Sequence, residues 1–323
     1  MPAKPLDEAE LNARLAASFP ARSVDPVTPL TGGASSLTFW TTLDGRDKVA
    51  VKVCPPGLEP VRNRDVLRQA RAQKALEGSG VPVPRVLAED EGDPPDVPPY
   101  FVMAFEPGVC LELGFMAPEE VPPPGDVRGR QLDCARLMGL LHRVDPVVVG
   151  LGDEPVTSLD DEVKRWTASL EVCDEDLRSG TEDVGAALLD HVPTAEPSTL
   201  LHGDFRTGNV LAEGDHVTSV IDWEIWSRSD PRIDLAWFLL FVEDARRTNP
   251  PGTPTVPELI ATYESARGAA VSDLDWFRAL VRYKQVSAGA FIARNARRRG
   301  GPVTPVDNSE NWLLISARQL LGA

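Results

Sequence analysis

The sequence predicts an α+β chain in two lobes, a small β-rich one over residues 1–105 and a larger, mainly helical one over 106–323. Three observations predict this. Five short runs with strand character surround one helical stretch in the first part of the chain. Proline and glycine then gather around Glu106-Pro107-Gly108. Beyond that point apolar residues recur mostly at helical spacing. At 323 residues the chain is long enough for two lobes with sizeable cores.

The elements follow in order. Leu6, Leu11 and Leu15 mark a short amphipathic helix starting near Asp7. Strands are expected at Val27 to Leu30, Leu37 to Thr42 and Lys48 to Val53, with a turn at Asp44-Gly45 between the last two. A helix from Arg62 to Glu77 ends at Gly78, and Val81 to Leu87 and Tyr100 to Phe105 read as further strands. Together these make residues 20–105 a small α+β lobe. The proline-rich pieces Asp93 to Pro99 and Pro118 to Gly125 are surface loops. In the second lobe, Cys134, Leu137, Met138 and Leu141 form the core stripe of a helix over Asp126 to Val144. Ser158 to Asp161 and Ser272 to Asp275 resemble capping boxes with Asp in place of Glu, opening helices that carry Trp166 and Trp276. Asp230-Pro231 opens another, with Asp as N-cap and Pro in the first turn.

Composition narrows the function classes. Lys and Arg number 33 against 49 Asp and Glu, a net charge of -16. That balance argues against non-specific nucleic-acid binding, which depends on neutralising phosphates with cations. Cys54, Cys110, Cys134 and Cys173 are widely spaced and form no CxxC pair, which fits reduced thiols better than a disulfide framework or a zinc site. No span reaches the apolar length of a membrane crossing, and the acidic N-terminus does not read as a signal peptide. A cytoplasmic location with neither membrane nor nucleic-acid partner is the expectation.

The chemistry concentrates in His202-Gly203-Asp204-Phe205-Arg206-Thr207-Gly208-Asn209 and in Asp222. Val210 to Glu213 and Val217 to Ile221 flank Gly214-Asp215 and read as a tight β-hairpin. With Glu213 paired to His216, Asn209 falls opposite Val220 and Thr207 opposite Asp222. Asp222 is then a diagonal neighbour of Asn209, roughly 7 Å away. A carboxylate and a carboxamide so placed offer hard oxygens to one cation, and Mg²⁺ takes one or two carboxylates and completes its shell with substrate phosphates. Asp204, five residues before Asn209, lies near the same cation and is free to accept a proton from an attacking hydroxyl. These residues point to phosphoryl transfer, with His202 and Arg206 flanking Asp204 in the catalytic loop.

Other positions carry two readings each. Thr31-Gly32-Gly33-Ala34-Ser35-Ser36 is either a plain hairpin turn or a loop whose N–H groups and Ser35 and Ser36 hydroxyls approach phosphate. Lys52, in Val49-Ala50-Val51-Lys52-Val53, is either a solvated strand lysine or a phosphate ligand, and the glycine loop before it and the distal motif favour the second. Asp234 either complements its helix dipole or accepts N–H groups from the catalytic loop. Trp223 and Trp226 belong either to the substrate cleft or to the core. The arginines Arg294, Arg297, Arg298 and Arg299 at a helix end read as structural.

The segments Val49-Ala50-Val51-Lys52, Leu201-His202-Gly203-Asp204 through Asn209, Ile221-Asp222-Trp223-Glu224 and Asp230-Pro231 through Asp234-Leu235-Ala236 resemble the aminoglycoside phosphotransferase and choline kinase family, which shares the protein-kinase fold. The resemblance runs from about Pro29 to Trp237. It implies a protein-kinase-like fold, with a nucleotide-binding lobe over 1–105 and a catalytic loop and substrate site in 106–323. It further implies Asp204 as catalytic base, Asn209 and Asp222 as Mg²⁺ ligands, and Lys52 with Gly33, Ser35 and Ser36 on the phosphates of ATP, GTP being the alternative donor. Met103, Phe105 and Glu106 correspond to the hinge region near the base. Gln69 stands where the family often has a glutamate beside the lysine, and a neutral amide adds no opposing charge. The wording is most similar to a branch associated with acyl-CoA dehydrogenases. The expected activity is Mg²⁺-dependent transfer to a small-molecule hydroxyl, a hydroxyacyl compound first and an aminoglycoside or other antibiotic second. A nucleotide-binding regulator with little catalysis is the rival outside the enzymes.

Overall fold

The computed structural model describes residues 5–30, 36–113, 116–244, 249–301 and 311–322. Helix α1 (Glu8–Ser18) begins where Asp7 accepts the N–H groups of Ala9 and Glu10, so the cap expected at Asp7 forms. Strands β1 (Thr28–Pro29), β2 (Leu37–Leu43) and β3 (Asp47–Val53) follow. After helix α2 (Val66–Leu76) come β4 (Val86–Asp90) and β5 (Tyr100–Ala104). They form one antiparallel sheet in the order β1-β2-β3-β5-β4. The strand expected at Val81 to Leu87 lies further along the chain than predicted. Pro82 and Pro84 cannot donate to a ladder, and the carbonyl of Pro82 instead accepts the N–H of Val220 at 2.8 Å, tying the sheet's approach to the helical lobe. The helix expected from Arg62 opens as a separate 3₁₀ turn, Arg62–Arg64, because Asp65 is extended and caps α2 through the N–H of Arg68.

The second lobe contains α3 (Pro124–Leu141), α4 (Leu159–Glu171), α5 (Glu175–Arg178) and α6 (Glu182–Asp190). Strand β6 (Thr199–Leu201), hairpin strands β7 (Val210–Glu213) and β8 (His216–Val220), and β9 (Ser227–Ser229) interrupt the helices. Helices α7 (Arg232–Asp244), α8 (Val256–Arg267), α9 (Leu274–Arg298) and α10 (Trp312–Leu321) complete it. Ser158 caps α4 through the N–H of Asp161, as expected. The box expected at Ser272 to Asp275 does not form. Asp273 sits at φ +52° without capping α9, and its carboxylate accepts from Ser272 and Arg232.

Apolar burial explains this arrangement. One core lies between α1 and the sheet, around Leu11, Leu15, Val51 and Val102. Two larger cores hold the helical lobe, one around Leu137, Phe205, Trp223 and Trp226, the other around Trp237, Phe277 and Leu280. Burying large apolar side chains stabilises by roughly 1.5–3 kcal/mol each, so both tryptophans left open by the sequence, Trp223 and Trp226, belong to the core. Trp226 is also a latch between the lobes. Its indole donates to the carbonyl of Arg68 at 2.9 Å, Arg68 donates back to the carbonyl of Trp226 at 2.7 Å, and the guanidinium lies 4.0 Å from the indole centroid. This fixes α2 against the helical lobe. Among the described residues no helix is long and apolar enough to cross a membrane.

Candidate active site

A cavity of about 330 Å³ lies between the sheet and the helical lobe. Its apolar surface comes from Leu30, Ala50, Met103, Ala104, Leu211 and Ile221, and Lys52, Asn209 and Asp222 bring polar groups into it. Of the residues expected to hold a nucleotide, Lys52, Met103, Phe105 and Glu106 all line this cavity. Ser36 is buried at the head of β2 and is not among the lining residues, whereas Thr38 is. Gly33 and Ser35 fall outside the described residues.

Lys52 projects from the buried part of β3, where its strand neighbours Val49, Ala50, Val51 and Val53 are apolar. Its ammonium donates to Gln69 Oε1 at 2.9 Å and to Asp222 Oδ1 at 2.7 Å. Gln69 does therefore hold the lysine, and the opposing charge comes from Asp222. Burial alone would raise the Asp222 carboxyl, yet the adjoining Lys52 ammonium brings it below the usual carboxylate range. Asp222 is also one of the few residues outside glycine with positive φ, +66°. Such a conformation costs free energy unless the surroundings enforce it, and it concentrates at functional sites.

The hairpin behind this residue is not the regular ladder that its spacing suggests. Glu213 pairs with His216 as expected, but a bulge between Leu211 and Ala212 shifts the register, so Val210 rather than Asn209 faces Val220. The extra residue moves Asn209 out of the ladder and into a 3₁₀ turn, Thr207–Asn209, in place of the expected pairing of Thr207 with Asp222. The two metal candidates still line the same cavity, with the Asn209 carbonyl accepting the N–H of Ile221 at 3.0 Å.

Asp204 is the best-held carboxylate of the loop. Asn209 Nδ2 donates to its Oδ2 at 2.8 Å and to its backbone carbonyl at 2.9 Å. Arg206 Nε donates to the same Oδ2 at 3.2 Å, and its guanidinium continues to the Glu112 carboxylate. Trp237 Nε1 donates to Oδ1 at 2.7 Å. Gly208 admits this arrangement, because a Cβ there would collide with the Glu112 and Arg206 side chains. His202 takes no part at the cavity. It is fully buried between Phe205 and Trp223, with its ring hydrogen-bonded to the Ile221 carbonyl at 2.9 Å. Its position suits it to joining the catalytic loop to the segment that carries Asp222.

The loop is braced from behind. Asp234 accepts the N–H groups of His202 at 2.6 Å and Gly203 at 2.9 Å, which is the loop-stiffening alternative raised by the sequence. Asp234 is wholly buried. Burial would raise its carboxyl, but the neighbouring His142 and the His202 N–H pull it below the usual range. Lys284, on α9, completes the brace. Its ammonium donates to the Gly203 carbonyl at 2.8 Å and lies 3.9 Å from the Trp237 ring centroid, and burial lowers its pKa. Sequence reasoning missed both Trp237 and Lys284. Trp237 follows Asp234 by three residues and so shares its helix face, a usable signal. Lys284 follows Arg278 and Arg282 on α9, so one more cation on that helix announces itself less clearly.

The sequence model of the phosphotransferase enzyme family matches residues 26–280. Acyl-CoA dehydrogenase family member 10 of Mus musculus is 28% identical over 220 residues, covering 64% of this chain and 20% of that protein. Acyl-CoA dehydrogenase family member 11 of Rattus norvegicus is 25% identical over 280 residues, covering 81% and 35%. The chain thus spans about a fifth to a third of the length of these relatives. A crystal structure from Ralstonia eutropha assigned to the aminoglycoside phosphotransferases has a TM-score of 0.74 at 20% identity, covering 98% of this chain and 96% of that one. A thermostable mutant of aminoglycoside phosphotransferase APH(4)-Ia, in ternary complex with AMP-PNP and hygromycin B, has a TM-score of 0.62 at 17% identity, covering 97% and 98%. These likenesses establish the protein-kinase-like fold expected from the sequence.

Proposed function

The chain belongs to the phosphotransferase enzyme family, and from that premise we propose that it is a Mg²⁺-dependent small-molecule kinase moving the γ-phosphoryl group of ATP to a hydroxyl. One observation carries this reading: Lys52, Asn209 and Asp222 line a single cavity, and Asp204, which is not itself among the lining residues, is hydrogen-bonded to Asn209.

Each group has a role that its surroundings support. Gln69 and Asp222 hold the Lys52 ammonium at the cavity wall, where it neutralises phosphate charge. Asn209 spends its amide N–H groups on Asp204, which leaves its Oδ1 as the end available to a cation. Asp222 supplies a carboxylate. One carboxylate and one amide oxygen suit Mg²⁺, which completes its shell with phosphates and water. Bound there, the ion would offset negative charge on the transferring group. Asp204, aligned by Trp237, Arg206 and Asn209, accepts the proton of the acceptor hydroxyl. Met103, Phe105 and Glu106 line the base end of the cavity. We place the boundary between the nucleotide-binding and catalytic lobes at residues 105 and 106.

A hydroxylated acyl compound is the acceptor class we put first, since the curated relatives carry acyl-CoA dehydrogenase names. Antibiotic hydroxyls come second, in keeping with the complex of the APH(4)-Ia mutant with hygromycin B. A screen of ATP consumption against hydroxyacyl-CoAs, aminoglycosides, macrolides and amino alcohols tests both. Turnover with none of these, together with absence of ATP binding, would remove the kinase reading. ATP binding without any turnover would favour a nucleotide-binding regulator.

A further inference from the structure

The two groups that hold Lys52 come from different lobes, and each lies close in the chain to one half of the latch between those lobes. Gln69, which accepts from the ammonium at 2.9 Å, follows Arg68 on α2. Asp222, which accepts from it at 2.7 Å, opens the short stretch 222–226 that ends in Trp226. Arg68 and Trp226 exchange two hydrogen bonds, indole to carbonyl and guanidinium to carbonyl, with the guanidinium lying over the indole. Lys52, Gln69, Arg68, Trp226 and Asp222 therefore form a closed ring of contacts and short chain segments.

The ring is anchored to the helical lobe at further points. Arg68 also pairs with Glu154, and Arg71, three residues along α2, donates to the Gly150 carbonyl at 2.8 Å and pairs with Asp153. Arg71 and Asp153 are exposed, and such pairs contribute little. The clasp of Arg68 with Trp226 is the buried part, Trp226 being 1% exposed, and a stacked guanidinium that is also hydrogen-bonded contributes more. It sets how far Gln69 stands from Asp222. That span matters because the two acceptors differ in charge. Gln69 holds the ammonium without cancelling its charge, whereas Asp222 pairs with it. If α2 drifts from the stretch 222–226, the ammonium is left to Asp222 alone, and less of its charge is offered to a phosphate.

Resting on the nucleotide reading, we infer that Arg68 and Trp226 are positioning residues for Lys52: their clasp fixes the span between Gln69 and Asp222, across which the phosphate-binding ammonium is held. The latch acts on nucleotide binding through Lys52 and not through the cavity at large.

The test is calorimetric titration of the full chain with ADP, run as a double-mutant cycle. Trp226→Phe keeps a ring but removes the indole donor, and Arg68→Lys keeps the charge but not the two-point grip. Each is made in the wild type and in Lys52→Met, with a thermal melt of every protein. In the wild-type background each latch variant should weaken ADP binding roughly threefold to tenfold, as a hydrogen bond to charged phosphate is partly lost. In Lys52→Met the same changes should have almost no effect, since no ammonium is left to position. Equal losses in both backgrounds overturn the inference and leave the nucleotide reading standing, because the latch then supports the lobe as a whole. Unchanged ADP binding in either folded latch variant overturns it as well, and Arg68→Lys, at the less buried side of the clasp, decides the matter where Trp226→Phe does not fold. If Lys52→Met binds ADP as the wild type does, the phosphate role of Lys52 falls and this inference with it. A wild type that binds no ADP removes the nucleotide reading itself.

Discussion

The indole of Trp237 donates to Oδ1 of Asp204 at 2.7 Å, and the same ring receives the Lys284 ammonium 3.9 Å from its centroid. One aromatic side chain thus links a buried cation to the proposed base. Asp204 has its other oxygen occupied by Asn209 and Arg206, so Trp237 fixes which way the carboxylate plane faces. Trp237→Phe keeps most of the packing and removes the donor. Hydrogen bonds to charged groups contribute about 1.5–3 kcal/mol, so kcat on the acceptor found by screening should fall about tenfold or more. The KM for ATP should stay near the wild-type value, since Trp237 is not among the cavity-lining residues. A KM rise with unchanged kcat would show that the indole acts elsewhere.

Asp204 itself gives the sharpest test of the kinase assignment. Asp204→Asn preserves the shape of the side chain but removes the proton acceptor. Turnover should drop by roughly 10²- to 10⁴-fold, while ADP binding by calorimetry stays within a few-fold of wild type. Wild-type turnover in this variant would refute the assignment.

Much of this was legible before any coordinates. Asp204 with Asn209, the return of Asp222 to their side and the strand-to-helix order follow from spacing, because chain-local periodicity controls which side chains share a face, whereas Lys52 rests on the glycine loop before it and on the distal motif. The Asn209 to Asp222 register was not legible, since a one-residue bulge in β7 and β8 alters the pairing without leaving a mark in the apolar pattern. Trp237 and Lys284 were missed for a related reason. Each makes its contact across elements far apart in sequence, and a tryptophan or a lysine on a helix reads equally well as ordinary packing or solvation. Ser272 to Asp275 shows the opposite error. A local capping signal was present, but Arg232 draws Asp273 into a tertiary contact, and the cap is lost.

Lys284 separates positioning from stability. Its burial opposes the charged form, so replacing it by an apolar side chain of similar length removes a desolvation cost as well as a hydrogen bond. The relieved desolvation offsets part of the cost of leaving the Gly203 carbonyl without this donor, about 1–3 kcal/mol. Lys284→Met should therefore change Tm by only a few degrees, yet lower kcat several-fold as the Gly203 carbonyl loses its donor. The KM for ATP should not follow. Lys284→Arg, which keeps the charge but not the compact geometry, should recover kcat only in part. Parallel losses in Tm and kcat would mean a purely structural role.

Asp222 is expected to couple metal to nucleotide. Asp222→Ala removes the cavity-wall carboxylate that is paired with Lys52. In the wild type, adding Mg²⁺ should tighten ATP binding, and chelation by EDTA should reverse the gain. In Asp222→Ala the gain should be largely lost, while binding of metal-free ATP holds or improves because Lys52 is released from its ion pair. An equal Mg²⁺ dependence in both proteins would place the ion elsewhere.

Asp234 supplies the pH test. Its carboxylate holds the His202 and Gly203 N–H groups, and the charged or titratable groups around it are His142 with Nε2 at 3.6 Å, His202 and Lys284. Its folded-state pKa lies below the ordinary value, about 3.9 for an unfolded aspartate. The folded protein therefore binds this proton less tightly than the unfolded chain does. The resulting stability is present in full above about pH 4 and is lost as pH falls through the lower, folded-state value. Asp234→Asn cannot offer two anionic acceptors to the loop, and it should cost roughly 1.5–3 kcal/mol near neutrality. Urea melts of both proteins should show that gap steady from pH 7 to about 5 and shrinking below about 4. A gap that widens with acid would mean that the folded-state pKa of Asp234 lies above the unfolded value, and its role as a stabilised anionic brace would be wrong.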